Sequence, residues 1–184
     1  MKKKANDYYL SGLRNNLAGL YPEAAADYAK AIEIDSYCAD AYLKRGVLRY
    51  KILKQYDESL TDFDSVIELN PRCSAAYLHR GIVKCHLLKF SDALPDFNKA
   101  VELDPNEERA YFNRGKNKYM LKYDKKEVCA DLGKAILFHA PQAADMIKLF
   151  YGTAQDLVKK EPIVHKKNRR KHHEKIRIKE KNNF

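Results

Sequence analysis

The chain has no tryptophan, six prolines and only seven glycines in 184 residues. Scarcity of the two helix-breaking residues, beside abundant Ala, Leu, Lys, Glu and Asp, favours helix throughout. No run of about 18 apolar residues occurs, so nothing reads as a membrane-spanning helix. Residues 2–4 are lysines, like the charged start of an export signal, but Asn6, Asp7, Tyr8 and Tyr9 follow where an apolar stretch is required. The expected compartment is the cytoplasm, with the nucleus open if the source is eukaryotic. The four cysteines, Cys38, Cys73, Cys85 and Cys129, include no CxxC spacing. A glycine-rich phosphate loop, a GxSxG elbow and an HExxH helix are also missing. His79 and His86 lie seven residues apart, about 10.5 Å along a helix, too far to share one metal. No catalytic residue, metal or cofactor is assigned, and an enzyme is not expected.

What the sequence does contain is a repeat. YLKRG at 42–46 returns as YLHRG at 77–81 and YFNRG at 111–115, with a weaker copy, YYLSG, at 8–12. The leading tyrosines, Tyr8, Tyr42, Tyr77 and Tyr111, are 34, 35 and 34 residues apart. A fixed period in that range signals stacked supersecondary units. After each glycine a second set follows at spacing 4 then 3: Ala24, Tyr28, Ala31; Ser59, Phe63, Val66; Ala93, Phe97, Ala100; Val128, Leu132, Ala135. That spacing puts each set on one helical face. A glycine inside a helix costs about 1 kcal/mol against alanine, so four at equivalent positions imply close helix crossings. The strings IEIDS at 32–36, IELNP at 67–71 and VELDP at 101–105 stop each second helix. From glycine to small residue the distance alternates between 12 and 13, and the extra residue should fall in the inter-helix turn. Pro95 lies inside a second helix and should make it start late or bend. Cys38 and Cys73 occupy equivalent places in successive copies, about 10 Å apart, too far for a disulfide.

The set Tyr77, Gly81, Ala93, Phe97, Ala100, Pro105 resembles the tetratricopeptide repeat signature, with tyrosine where that family often has tryptophan. The resemblance covers residues 5 to about 140. It implies an all-α, right-handed superhelical solenoid of helix-turn-helix repeats with a C-terminal capping helix. The expected parts are a basic end at 1–4, repeats at about 5–37, 38–72, 73–106 and 107–140, a cap at 141–160 and a tail at 161–184. The chain departs from the family at the position before each glycine, where Ser11, Arg45, Arg80 and Arg114 stand. Second helices carry Asp27, Asp62, Asp96 and Asp131 beside their central residue. A between-repeat ladder, Asp27–Arg45, Asp62–Arg80 and Asp96–Arg114, would explain why only the first copy lacks arginine.

The resemblance further implies a noncatalytic scaffold whose first helices line a concave groove that binds a peptide or partner protein. The positions carried over are Tyr9 and Leu13; Leu43, Lys44, Val47 and Tyr50; Leu78, His79, Ile82 and His86; Phe112, Asn113, Lys116 and Tyr119. Some of these must instead pack between helices. Together they describe an apolar, aromatic floor with scattered positive groups. Relatives that grip chaperone carboxy-termini use lysines and asparagines, but Tyr9 and Leu13 stand in the first-repeat slots, so that clamp is not expected.

The net charge of +10 belongs to the ends. From residue 159 onward eleven basic residues against three acids give +8, and residues 2–4 add three, which leaves residues 5–158 at −1. The stretch at 166–173 holds Lys166, Lys167, Arg169, Arg170 and Lys171. With almost no apolar content the tail should be disordered. Such a segment gains affinity for polyanions through counterion release. The alternative reading is therefore an adaptor anchored to nucleic acid or an acidic surface through this tail, without base stacking because interleaved aromatics are missing.

Overall fold

A computed structural model describes residues 2–152. The described residues are all helical: α1 (Lys2–Leu17), α2 (Tyr21–Ile34), α3 (Ala39–Leu48), α4 (Tyr56–Leu69), α5 (Ser74–His86), α6 (Phe90–Leu103), α7 (Glu108–Met120), α8 (Lys125–Leu137) and α9 (Gln142–Tyr151). A π-helical turn, Arg49–Leu53, continues α3. The chain divides into one compact unit ending at Met146 and a second beginning at Ile147. Helices α1–α8 lie in the first unit, which is a stack of helix pairs: α1 with α2, α3 with α4, α5 with α6, α7 with α8. Each second helix also packs on the first helix of the next pair, so the core runs continuously along the stack. In the second unit, α9 ends where Gly152 adopts φ +77°.

The crossings follow from the glycines. A Cβ at Gly12, Gly46, Gly81 or Gly115 would come within 2.6–2.9 Å of Tyr28, Phe63, Phe97 or Leu132 respectively, in each case on the partner helix of the same pair. These four side chains are fully buried, together with the small residues that precede and follow them. Hydrophobic packing at such distances leaves no room for a methyl group.

The turns show how the unequal spacings are absorbed. The residue closing each first helix takes a left-handed conformation, at Gly19, Lys54, Leu88 and Lys122. The 13-residue spacings have two solutions. After Gly46 the extra residue is taken up within the helix, as the π turn, so the cap bond runs from the Gln55 N–H to the Arg49 carbonyl. After Gly115 it lengthens the turn, and Asp124 caps α8 by accepting from the Glu127 N–H at 2.9 Å. Between repeats, Asp35, Asn70 and Asp104 each accept a bond from the backbone N–H two residues on, at 3.1 Å. Proline follows only the latter two, so the side-chain bond is the shared device of these three stops. The helix holding Pro95 does not start late: α6 begins at Phe90, and exposed Pro95 leaves its missing bond at the solvent.

The ion pairs correct the expected ladder. Arg45 meets Asp62 at 2.6 Å, Arg80 meets Asp96 at 2.6 Å and Arg114 meets Asp131 at 2.6 Å, all within one repeat. The reason lies in the glycine contact. Gly46 lies against the Cβ of Asp62, so the arginine one residue earlier reaches the same carboxylate. A second cation, three residues after the glycine, completes each site: Arg49, Lys84 and Lys118, at 2.7, 2.7 and 3.0 Å. In the first repeat Asn15 holds that place and donates to Asp27 at 2.8 Å. Between repeats Arg80 also reaches Asp64 and Arg114 reaches Asn98, each two residues beyond the expected aspartate.

Candidate functional site: a cleft on the first helices

The fourteen expected groove residues separate into three groups. Three are buried and cannot meet a partner: Tyr50, Leu78 and His79. Leu78 packs with Ala93, Phe97, Ala100 and Ala110, joining the third and fourth repeats. Tyr50 lies in the π turn, edge-on to Phe63, and its hydroxyl meets His79 Nδ1 at 2.9 Å. The His79 ring in turn stacks on Phe63 at 5.8 Å. The Arg109 charge acts on the same hydroxyl. Burial first, then the charges of Arg109, Lys51 and Lys44, push His79 down to about 3, so it is neutral. Burial also pushes Tyr50 up to about 12, against the pull of Arg109. Tyr50 and His79 thus join two successive repeats, under the charge of Arg109 from the next.

A second group is half-buried or exposed and does not line the cleft described below. Tyr9 and Leu13 pack beside Tyr28 and Ala24, and Leu43 and Val47 beside Phe63. Phe112 and Tyr119 are half-buried and Lys44 is exposed. Lys116 lies over the Phe112 ring at 5.4 Å.

The third group comes together. Ile82 and His86 from α5, with Asn113 and Lys116 from α7, line a cleft of about 280 Å³. Cys85, Asn117, Met120 and Phe90, the first residue of α6, complete it. Asn117 is buried; it donates to the Phe90 carbonyl at 3.0 Å and accepts from the Cys85 thiol at 3.3 Å. Burial pushes that thiol up to about 11, so it stays protonated. His86 stacks on Tyr56 at 5.3 Å, which fixes one wall. A cavity this size sits just under the roughly 300–1,000 Å³ of small-molecule sites and suits a single side chain. Asn117 was legible in principle, since the equivalent places hold Leu48 and Val83. Met120 and Phe90 carry no sequence signal.

Among the described residues no cluster of His, Cys, Asp or Glu could hold a metal, all four cysteines are free, and no helix is long and apolar enough to cross a membrane. The expected polyanion-binding residues, Lys166, Lys167, Arg169, Arg170 and Lys171, lie outside the described residues.

Comparison with known proteins agrees with this architecture. Residues 39–73 match a tetratricopeptide repeat family model. The fold is similar to the first TPR of Spaghetti (RPAP3) bound to the HSP90 peptide SRMEEVD, at 26% identity and TM-score 0.64, covering 67% of this chain and 97% of that one. It is similar to YrrB, a TPR protein with an unusual peptide-binding site, at 25% identity and TM-score 0.68, covering 78% and 74%. MamA from Desulfovibrio magneticus shares the fold at 20% identity and TM-score 0.74, covering 85% and 88%. No curated protein sequence matches the chain. Four glycine-centred helix crossings at a 34–35-residue period, the family match at residues 39–73 and these shared folds lead to one conclusion: the chain carries a tetratricopeptide repeat at 39–73 and has the all-helical solenoid fold of TPR structures.

Proposed function

We propose that this protein is a noncatalytic interaction scaffold that holds a peptide or partner segment along its first helices. The observation that carries this is the cleft, where four expected groove residues from two repeats, Ile82, His86, Asn113 and Lys116, surround one side-chain-sized cavity. Two similar folds are described as peptide-binding, which supports the reading. Affinity capture tests it, using the full chain, a version ending at Glu161, and a Lys44→Glu, Lys116→Glu double variant. Both lysines are exposed, so the variant keeps its fold. Partners retained by the shorter chain and lost by the double variant support the scaffold. Partners lost with the tail and with rising salt support the polyanion adaptor instead.

A further inference from the structure

The cations of this repeat stack are sorted. Helices α3, α5 and α7 with the π turn carry ten Lys and Arg residues and only two acids, Asp40 and Glu108. Helices α2, α4 and α6 carry eleven acids and two lysines. Six of the ten first-helix cations, Arg45, Arg49, Arg80, Lys84, Arg114 and Lys118, are committed to second-helix aspartates. The other four, Lys44, Lys51, Arg109 and Lys116, make no ion pair among the described residues. Their charges converge on one region. Arg109, Lys51 and Lys44 all act on His79, and Lys116 stands on the rim of the cleft. Unpaired like charges held together on a largely acid-free face complement an anionic partner.

Their spacing narrows the partner further. Lys44 and Lys51 are seven residues apart, as are Arg109 and Lys116, about 10 Å along each helix. These four cations are spread over α3, the π turn and α7, in the second and fourth repeats. The charges therefore suit carboxylates distributed along an extended segment, and a free chain terminus is not needed. Between them the cleft offers apolar wall from Ile82, Phe90 and Met120. We propose that this face binds an internal acidic segment of a partner protein, with one bulky apolar side chain seated in the α5–α7 cleft. This rests on the scaffold reading and names the chemistry of its ligand.

The test uses full-length protein and short fluorescent peptides blocked at both ends. One has a central Leu among Asp and Glu; a second replaces that Leu with Ala; a third keeps Leu among Lys. The first two carry equal charge, so the basic stretch at 159–184 attracts both alike and cancels from their ratio. The acidic Leu peptide should bind at least about tenfold more tightly than the Ala peptide, and the Lys peptide should not bind. Met120→Asp changes a residue 52% exposed at the end of α7; it should bring the Leu/Ala ratio to about one while circular dichroism stays unchanged. Freeing the peptide C-terminus should leave affinity unaltered. Equal binding of Leu and Ala peptides, an unchanged ratio in Met120→Asp, a requirement for a free C-terminus, or no binding at all overturns the proposal. The scaffold reading falls separately, if captured partners survive Lys44→Glu with Lys116→Glu.

Discussion

Tyr28 and His79 show what one buried polar group does in a repeat interior. Tyr28 occupies the central second-helix position, where the other repeats have Phe63, Phe97 and Leu132. Its hydroxyl is buried with no hydrogen-bond partner. Burying an unpaired hydroxyl costs about 1–3 kcal/mol, so Tyr28→Phe should stabilise the protein by about 1 kcal/mol, measured by urea denaturation. His79 is the paired case. Its ordinary value is about 6.5, and the folded protein holds it near 3. Above pH 6.5 it is neutral in both states and the joint with Tyr50 contributes fully. As pH falls below 6.5 only the unfolded chain takes up the proton, so stability declines by up to about 1.4 kcal/mol per pH unit. Denaturation between pH 6.5 and 4.5 should show this slope, and His79→Gln should flatten it.

Helix pairing places the ion pairs and turns. Arg45 and Arg49 both serve Asp62, whose side chain is 1% exposed. A double-mutant cycle on Arg45 and Asp62 should give a coupling of about 2 kcal/mol, and the cycle on Arg80 and Asp62 close to zero. The between-repeat expectation failed for an identifiable reason. Counting residues cannot tell which of two flanking helices an aspartate faces; the glycine crossing decides it. Turn chemistry was similarly half legible. Gly19 fits its left-handed position, whereas Leu88, at φ 58° and 74% exposed, holds the same position against its steric preference. Leu88→Gly removes that cost, offset in part by a more flexible unfolded chain. The net gain should be about 0.5–1 kcal/mol, visible as a rise in Tm.

Across the whole repeat stack, stability is a sum of nearest-neighbour joints. Helices α3–α6 have a neighbouring repeat on both sides, and carry the Tyr50–His79 joint and the Leu78 cluster. Helix α1 packs chiefly on α2. Hydrogen exchange should therefore show the strongest protection in α4 and α5 and the weakest in α1; uniform protection would mean that the repeats unfold as one block. The sorting of charge belongs to this scale too. In the second to fourth repeats first-helix cations satisfy second-helix aspartates, and the cations left over collect on one face. Binding there should weaken as salt rises.

The repeat, its period, the glycine crossings and the all-helical class were determined by the sequence alone, because each depends on local spacing repeated four times. Signature residues do the same work in every copy and are legible by comparison of copies. Which of the remaining residues face a partner was decided only by tertiary structure. Leu78 and His79 stand beside Ile82 on α5 at positions that looked equivalent, yet packing against the adjacent repeats buries the first two and leaves Ile82 on the cleft. The meeting of Met120 on α7 with α5, and of Tyr50 with His79, likewise arises from contacts between repeats. A repeat read by itself cannot contain them, since half of every surface in a solenoid belongs to its neighbour.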